Sequence, residues 1–199
     1  MVDNISTIRS TLEFDNPEEF YYISIMQRNK DGVKVASSHD NARRIRTFYV
    51  FSLEDFDKIT DFIREICDKI NARCYIELNR KNIFQCQLEC IKRLAECIEH
   101  RTTKSRAIMD SVVAGAPSRD KLWMIDADDT SPSSDLIEHI LQDVEDRKGK
   151  HYAVIPTVNG THIITSRFDP REWPYENAEI KRNAFTLLYY NDETLHSNL

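Results

Sequence analysis

The sequence predicts an α+β fold: a central mixed sheet with helices packed on it, half of it RRM-like or ferredoxin-like. Three observations carry this. Aromatic and β-branched runs alternate with stretches of helical period in the order β β α β α α β α β β β. An Asn159-Gly160 pair between two apolar runs signals a hairpin near the end. The 199 residues are 41 % hydrophobic and 30 % charged, the balance of an ordinary globular chain able to bury a sizeable core.

Residues 1–19 are polar and irregular and read as a loosely packed N-terminal arm; 20–190 read as a single α/β domain and 191–199 as a polar tail. Phe20–Met26 and Thr47–Phe51 are the first strands. Their aromatic residues are expected in the core. Ser52 with Asp55 three residues on marks a helix start, and Phe56, Ile59, Phe62, Ile63, Ile66 and Ile70 carry the helix to about Asn71. Ala72–Arg80 is a third strand. Residues 83–100 form an amphipathic helix, with Phe84, Leu88, Ile91, Leu94 and Ile98 recurring at its period. A shorter helix spans about 104–114, and Leu136, Ile137, Ile140, Leu141 and Val144 define another, capped by Ser133 or Ser134 and stopped at Lys148-Gly149-Lys150. His151–Ile155, Thr161–Thr165 and Phe185–Tyr190 complete the strands.

Net charge is −6, so a polyanion partner needs a local basic patch. Residues 27–46 supply the most basic stretch, with Arg28, Lys30, Lys34, Arg43, Arg44 and Arg46, either a solvated loop or a phosphate-contacting one. Four glycines are too few for a Gly-rich phosphate loop. No apolar run approaches the ~20 residues of a membrane span, and no secretory signal is visible, so a cytoplasmic chain without a membrane partner is expected. Cys67, Cys74, Cys86, Cys90 and Cys97 read as free thiols. Cys86, Cys90, Cys97 and His100 can be drawn as a zinc set, but the helical pattern favours small buried apolar residues.

The chemistry concentrates at Leu122–Thr130, where an apolar run ends in Asp126-Ala127-Asp128. Residues two apart on a strand share a face. Two carboxylates ~4 Å apart repel by ~4 kcal/mol at an effective dielectric of ~20. A cation between them, or a shared proton, relieves this. Paired hard oxygens suit Mg²⁺ or Mn²⁺. A solvated acidic loop capping the next helix is the other reading. Downstream, His162 follows the Asn159-Gly160 turn, where an imidazole can bind phosphate, ligate metal or simply sit in a hairpin.

Asp126-Ala127-Asp128 at a strand end, a helix, and Gly160-Thr161-His162 in a hairpin together resemble the archaeo-eukaryotic primase superfamily, over roughly residues 72–190. The resemblance implies a nucleotidyltransferase acting on nucleotides and a single-stranded nucleic-acid template. Asp126 and Asp128 would hold two divalent metals, and His162 would contact the triphosphate, beside Asn159 and Gly160. Arg80, Lys81 or Arg167 would neutralise its charge. The family's third acid has two candidates, Asp169 and Asp192, of which Asp169 lies nearer His162 in sequence. Ala127 is smaller than the family's usual middle residue. Asp126-Ala-Asp-Asp-Thr130 also resembles the haloacid-dehalogenase phosphatase signature, with Thr157 and Lys181 in that family's later positions. A third reading is a non-catalytic module that binds nucleic acid or protein.

Overall fold

The architecture is that of a computed structural model, which describes residues 1–32, 41–101, 108–128 and 134–192. The fold is α+β. In chain order the elements are β1 (Val2–Asp3), α1 (Ile5–Arg9), β2 (Glu19–Arg28), a 3-10 turn (Asn29–Asp31), β3 (Ala42–Val50), α2 (Leu53–Ile70), β4 (Arg73–Asn82), α3 (Ile83–Glu99) and α4 (Ile108–Gly115). There follow β5 (Trp123–Ala127), α5 (Ser134–Asp146), β6 (His151–Pro156), β7 (Thr161–Thr165), β8 (Ala178–Lys181) and β9 (Phe185–Tyr190).

In place of one mixed sheet there are two, with strand orders β1-β9-β4-β2-β3 and β6-β7-β5-β8. Every paired neighbour is antiparallel. The alternation that suggested parallel strands is real: β5 and β6, joined through α5, run in the same direction. β7 folds back from β6 and inserts between them, so no parallel pair forms. This is the ferredoxin-like half expected from residues 122–165. β8 supplies its fourth strand, a short segment whose sequence shows no strand signal, and the link from β7 is a loop rather than a helix.

Alternation along the strands decides the layers. Ile125, Ala127 and Ile163 turn outward onto Ile140 and Val144 of α5. Met124, Ile155 and Ile164 turn inward, joining the cluster of Ile23, Ile25, Ile76 and Leu188 with Phe56, Ile63 and Cys67 of α2. The opposite face of the five-stranded sheet, through Phe20 and Tyr22, packs on Cys86 of α3 and on Ile108, Val112 and Val113 of α4.

The N-terminal residues are not a loose arm. β1 pairs with β9, Ile5 and Ile8 are buried, and the Asn4 amide donates to Pro156 O (2.8 Å) and Leu187 O (2.9 Å). Ile5, Ile8 and Leu12 stand at helical spacing, which is the signal for it. The α2 termini match the reading: the Asp55 N–H donates to Ser52 Oγ at 3.0 Å, and Asn71 closes the helix in the left-handed region at φ 48°. Past the end of α5 at Asp146, Lys148 turns the chain with φ 64°, and Gly149 lies so close to Val144 and Phe168 that a Cβ would meet them at 2.7 and 2.9 Å. Ser133, proposed as a cap, and Asp129 and Thr130 lie outside the described residues. Helix α3 forms over its expected length, but Cys86 faces inward while the five large apolar residues of its period face out.

Candidate functional site

Strand pairing sets Asp126 on β5 directly opposite His162 on β7, so the two side chains share the inward face of the four-stranded sheet. His162 Nε2 lies 3.1 Å from Asp126 Oδ1, and His162 Nδ1 lies 2.8 Å from Thr186 Oγ1 on β9. Lys181, at the end of β8, places its ammonium on Asp126 Oδ2. The His162 hydrogen bond, reinforced by Lys181 against the opposing effect of burial, holds the Asp126 carboxyl well below the usual carboxylate range. Burial tends to lower the Lys181 pKa, and Asp126 overcomes it, so Lys181 stays a cation. An ionised carboxylate only accepts, so Nε2 carries the proton. In the neutral imidazole Nδ1 then accepts from the Thr186 hydroxyl.

This cluster opens on a cavity of about 440 Å³ between the sheets. Asp126 and Asp128 line it, as their spacing on one strand face requires, together with His162, Thr157 and Asn159 from the β6–β7 hairpin. The opposite wall carries Arg28, Lys30 and Arg73. Arg73 is held by Asp31, and Arg28 donates to the Tyr75 hydroxyl at 3.0 Å. Burial lowers the Lys30 pKa, with Arg28 and Arg73 adding to it, while Asp128 acts in the opposite sense. Tyr75 and Phe185 stack in the cavity with ring centres 5.2 Å apart.

Asp126, Asp128, His162 and Asn159 therefore come together. Gly160 stands in the adjoining turn, its carbonyl accepting from Thr157 N at 2.8 Å; neither it nor Asn159 has positive φ, so the turn is not of the type I′ form that Asn-Gly suggests. Four expected residues lie elsewhere. Arg80 is bound by Asp120 and Asp15 near the chain's N-terminal segment. The Lys81 ammonium donates to Ala116 O at 2.7 Å, and burial lowers its pKa. The Asp169 carboxylate is taken by Arg171, which lowers its pKa to about 2. Arg167 lines, with Lys81, Lys121, Trp123 and Arg182, a second cavity of about 310 Å³ that shares Asn183 with the first. Asp192, the other candidate for the third acid, lies 3.5 Å from the chain's amino terminus.

Arg28 and Lys30 belong to the basic stretch visible in the sequence, which gave no clue that they face Asp128. Lys181 was visible only through the phosphatase resemblance, whose Thr157 also lines the cavity. Thr186 has no sequence signal, because its partner is set by the meeting of two sheets.

Asp126 and Asp128 suit one Mg²⁺ or Mn²⁺, which takes one or two carboxylates and completes its shell with water and phosphate. Asp169 does not join them, Lys181 is paired with Asp126, and among the described residues no group of three or more His, Cys, Asp or Glu is drawn together. The five cysteines are free thiols. No helix among the described residues is long and apolar enough to cross a membrane. No family model, curated protein or solved structure matches the chain.

Proposed function

We propose that the cavity between the sheets takes a nucleotide by its phosphates, and that the chain is a nucleotidyltransferase of the primase-polymerase kind. The observation that carries this is the convergence of Asp126, Asp128, His162 and Asn159 on one cavity whose far wall is Arg28, Lys30 and Arg73. An acidic wall facing a cationic one suits a triphosphate with a bound divalent ion. Held by Asp126 and Asp128, that ion would supply charge neutralisation at the phosphates. Arg28 and Lys30 bind phosphate oxygens from the opposite side. His162, with both ring nitrogens engaged by Asp126 and Thr186, positions Asp126 rather than reaching the phosphates itself. Tyr75 and Phe185 offer an apolar surface for the base. In the reaction a hydroxyl oxygen attacks the α-phosphorus, the bond to pyrophosphate breaks, and the hydroxyl proton is lost to solvent. The neighbouring cavity, with Lys121, Arg167 and Arg182 around Trp123, has the cations and aromatic ring that a single-stranded template requires.

One observation favours a non-catalytic alternative. The Lys181 ammonium occupies Asp126, so the cavity can bind phosphate through organic cations alone. Incubation with Mn²⁺, nucleotides and a primed single-stranded template distinguishes the two. Template-dependent incorporation by the wild type, lost in Asp126→Asn and Asp128→Asn, supports transfer. Nucleotide binding that persists in a chelator without any incorporation supports the alternative. Release of phosphate from a simple phosphomonoester through a trappable aspartyl phosphate on Asp126 overturns both in favour of phosphatase chemistry.

A further inference from the structure

We propose that α3 is the surface on which two copies of this chain pair, antiparallel, about a two-fold axis at Ile91. On α3, Phe84, Leu88, Ile91, Leu94 and Ile98 are 42 to 79 % exposed. The opposite side of the helix is the one that meets the body: Cys86 is buried, Cys90 Sγ lies 3.3 Å from Met109 Sδ of α4, and Arg93 donates to Ser111 Oγ at 3.1 Å. The outward stripe is therefore not a core face left ajar; the helix already has its inner contacts.

The pattern of the stripe selects the occupant. Leu88 and Leu94 lie three residues to either side of Ile91, and Phe84 and Ile98 lie seven to either side. A spacing symmetric about one residue is what a two-fold axis across a helix requires, because such an interface uses the same patch twice. Ile91 then meets Ile91 of the partner subunit, Leu88 meets the partner's Leu94, and Phe84 meets the partner's Ile98. The stripe is about 21 Å long at 1.5 Å per residue. Taking each side chain at roughly 150–200 Å² when free, the exposed fractions amount to about 500 Å² of apolar surface per copy, toward the upper end of the largest patch a monomer carries and of the size that is often functional. Fully covered, these residues bury about 1,000 Å² over two copies, the threshold for a specific interface, and flanking contacts along α3 add to it. The polar residues of α3 argue against a lipid surface. Glu89, Glu96 and Glu99 outnumber Lys92 and Arg93, whereas interfacial helices are rich in Lys and Arg.

Sedimentation of the full chain from about 1 to 100 µM should show conversion from 23.3 kDa to twice that mass. A chain that stays monomeric throughout overturns the proposal, and so does one that is monomeric but binds anionic vesicles through this stripe. Ile91→Glu, at an exposed position, should weaken association about tenfold or more while leaving the melt of the dilute monomer unchanged; an unchanged dimer overturns the proposal. Leu88→Lys and Leu94→Glu test the register. Each alone should be monomeric. A mixture of the two should restore a dimer, since the introduced ammonium of one copy faces the introduced carboxylate of the other only in the antiparallel arrangement. A mixture that remains monomeric rejects it.

Discussion

An aspartate held between an imidazole and an ammonium ceases to behave as an ordinary surface acid. Asp126 accepts from His162 and Lys181, and its carboxyl is held far below its unfolded value near 3.9. The unfolded chain therefore binds this proton more readily than the folded one. Stability from Asp126 is present above about pH 4 and is lost as pH falls through the folded pKa. Urea midpoints between about pH 2 and pH 5 should fall steeply in the wild type and less steeply in Asp126→Asn. Asp169 contributes to the same acid limb through Arg171, so the difference between the two chains, not the wild-type slope, reads Asp126. Lys181→Met tests the other side of the pair. Lys181 is about one-third exposed, so the loss should be about 1–2 kcal/mol rather than the full cost of breaking a buried pair. Without the ammonium, Asp126 loses its ion pair, and Mn²⁺ should raise the melting temperature of Lys181→Met more than that of the wild type. Equal shifts would mean that the lysine and the metal do not compete.

Among the elements, termini and close approaches set the sensitive positions. Ser52 accepts from the Asp55 N–H at the start of α2, and Ser52→Ala should cost about 1 kcal/mol in denaturant unfolding. Gly149, just past α5, leaves no room for a methyl group between Val144 and Phe168. Gly149→Ala should destabilise by about 1–3 kcal/mol, because Val144 and Phe168 are both held in the cluster beneath the four-stranded sheet. The exposed stripe of α3 shows the limit of reading elements by period. Its hydrophobic periodicity is strong and correctly gives the helix, yet the side facing the protein is the cysteine side. Periodicity reports that one face is apolar; it does not report what covers that face.

For the whole molecule, the ends of the chain matter as much as its middle. β1 and β9 are neighbours in the five-stranded sheet, while β5 to β8 form the other, so the N-terminal residues close the structure rather than trail from it. Ile8 is fully buried in the cluster that also holds Ile5, Leu12 and Tyr189, and Ile8→Ala should cost about 2–4 kcal/mol, measured by equilibrium unfolding. A loosely attached arm would give almost no effect. The two cavities that share Asn183 also act at this scale. If single-stranded nucleic acid runs through the second, Arg167→Ala and Arg182→Ala should each weaken its binding irrespective of sequence and flatten the salt dependence by about one unit.

The amino-acid order by itself determined the elements other than β1, α1 and β8, and one half of the site. Hydrophobic alternation on β5 sends Ile125 and Ala127 to one side and Asp126 to the other, hydrophobic period marks α5, and local cap and turn residues mark α2 and the β6–β7 hairpin. These are short-range effects, legible because each depends on residues a few positions apart. Three things needed the tertiary structure: the division into two antiparallel sheets, the meeting of Arg28 and Lys30 with Asp128 across a cavity, and the capture of Asp126 by Lys181. Each joins segments separated by tens of residues, where strand insertion and sheet packing, rather than local preference, choose the partner.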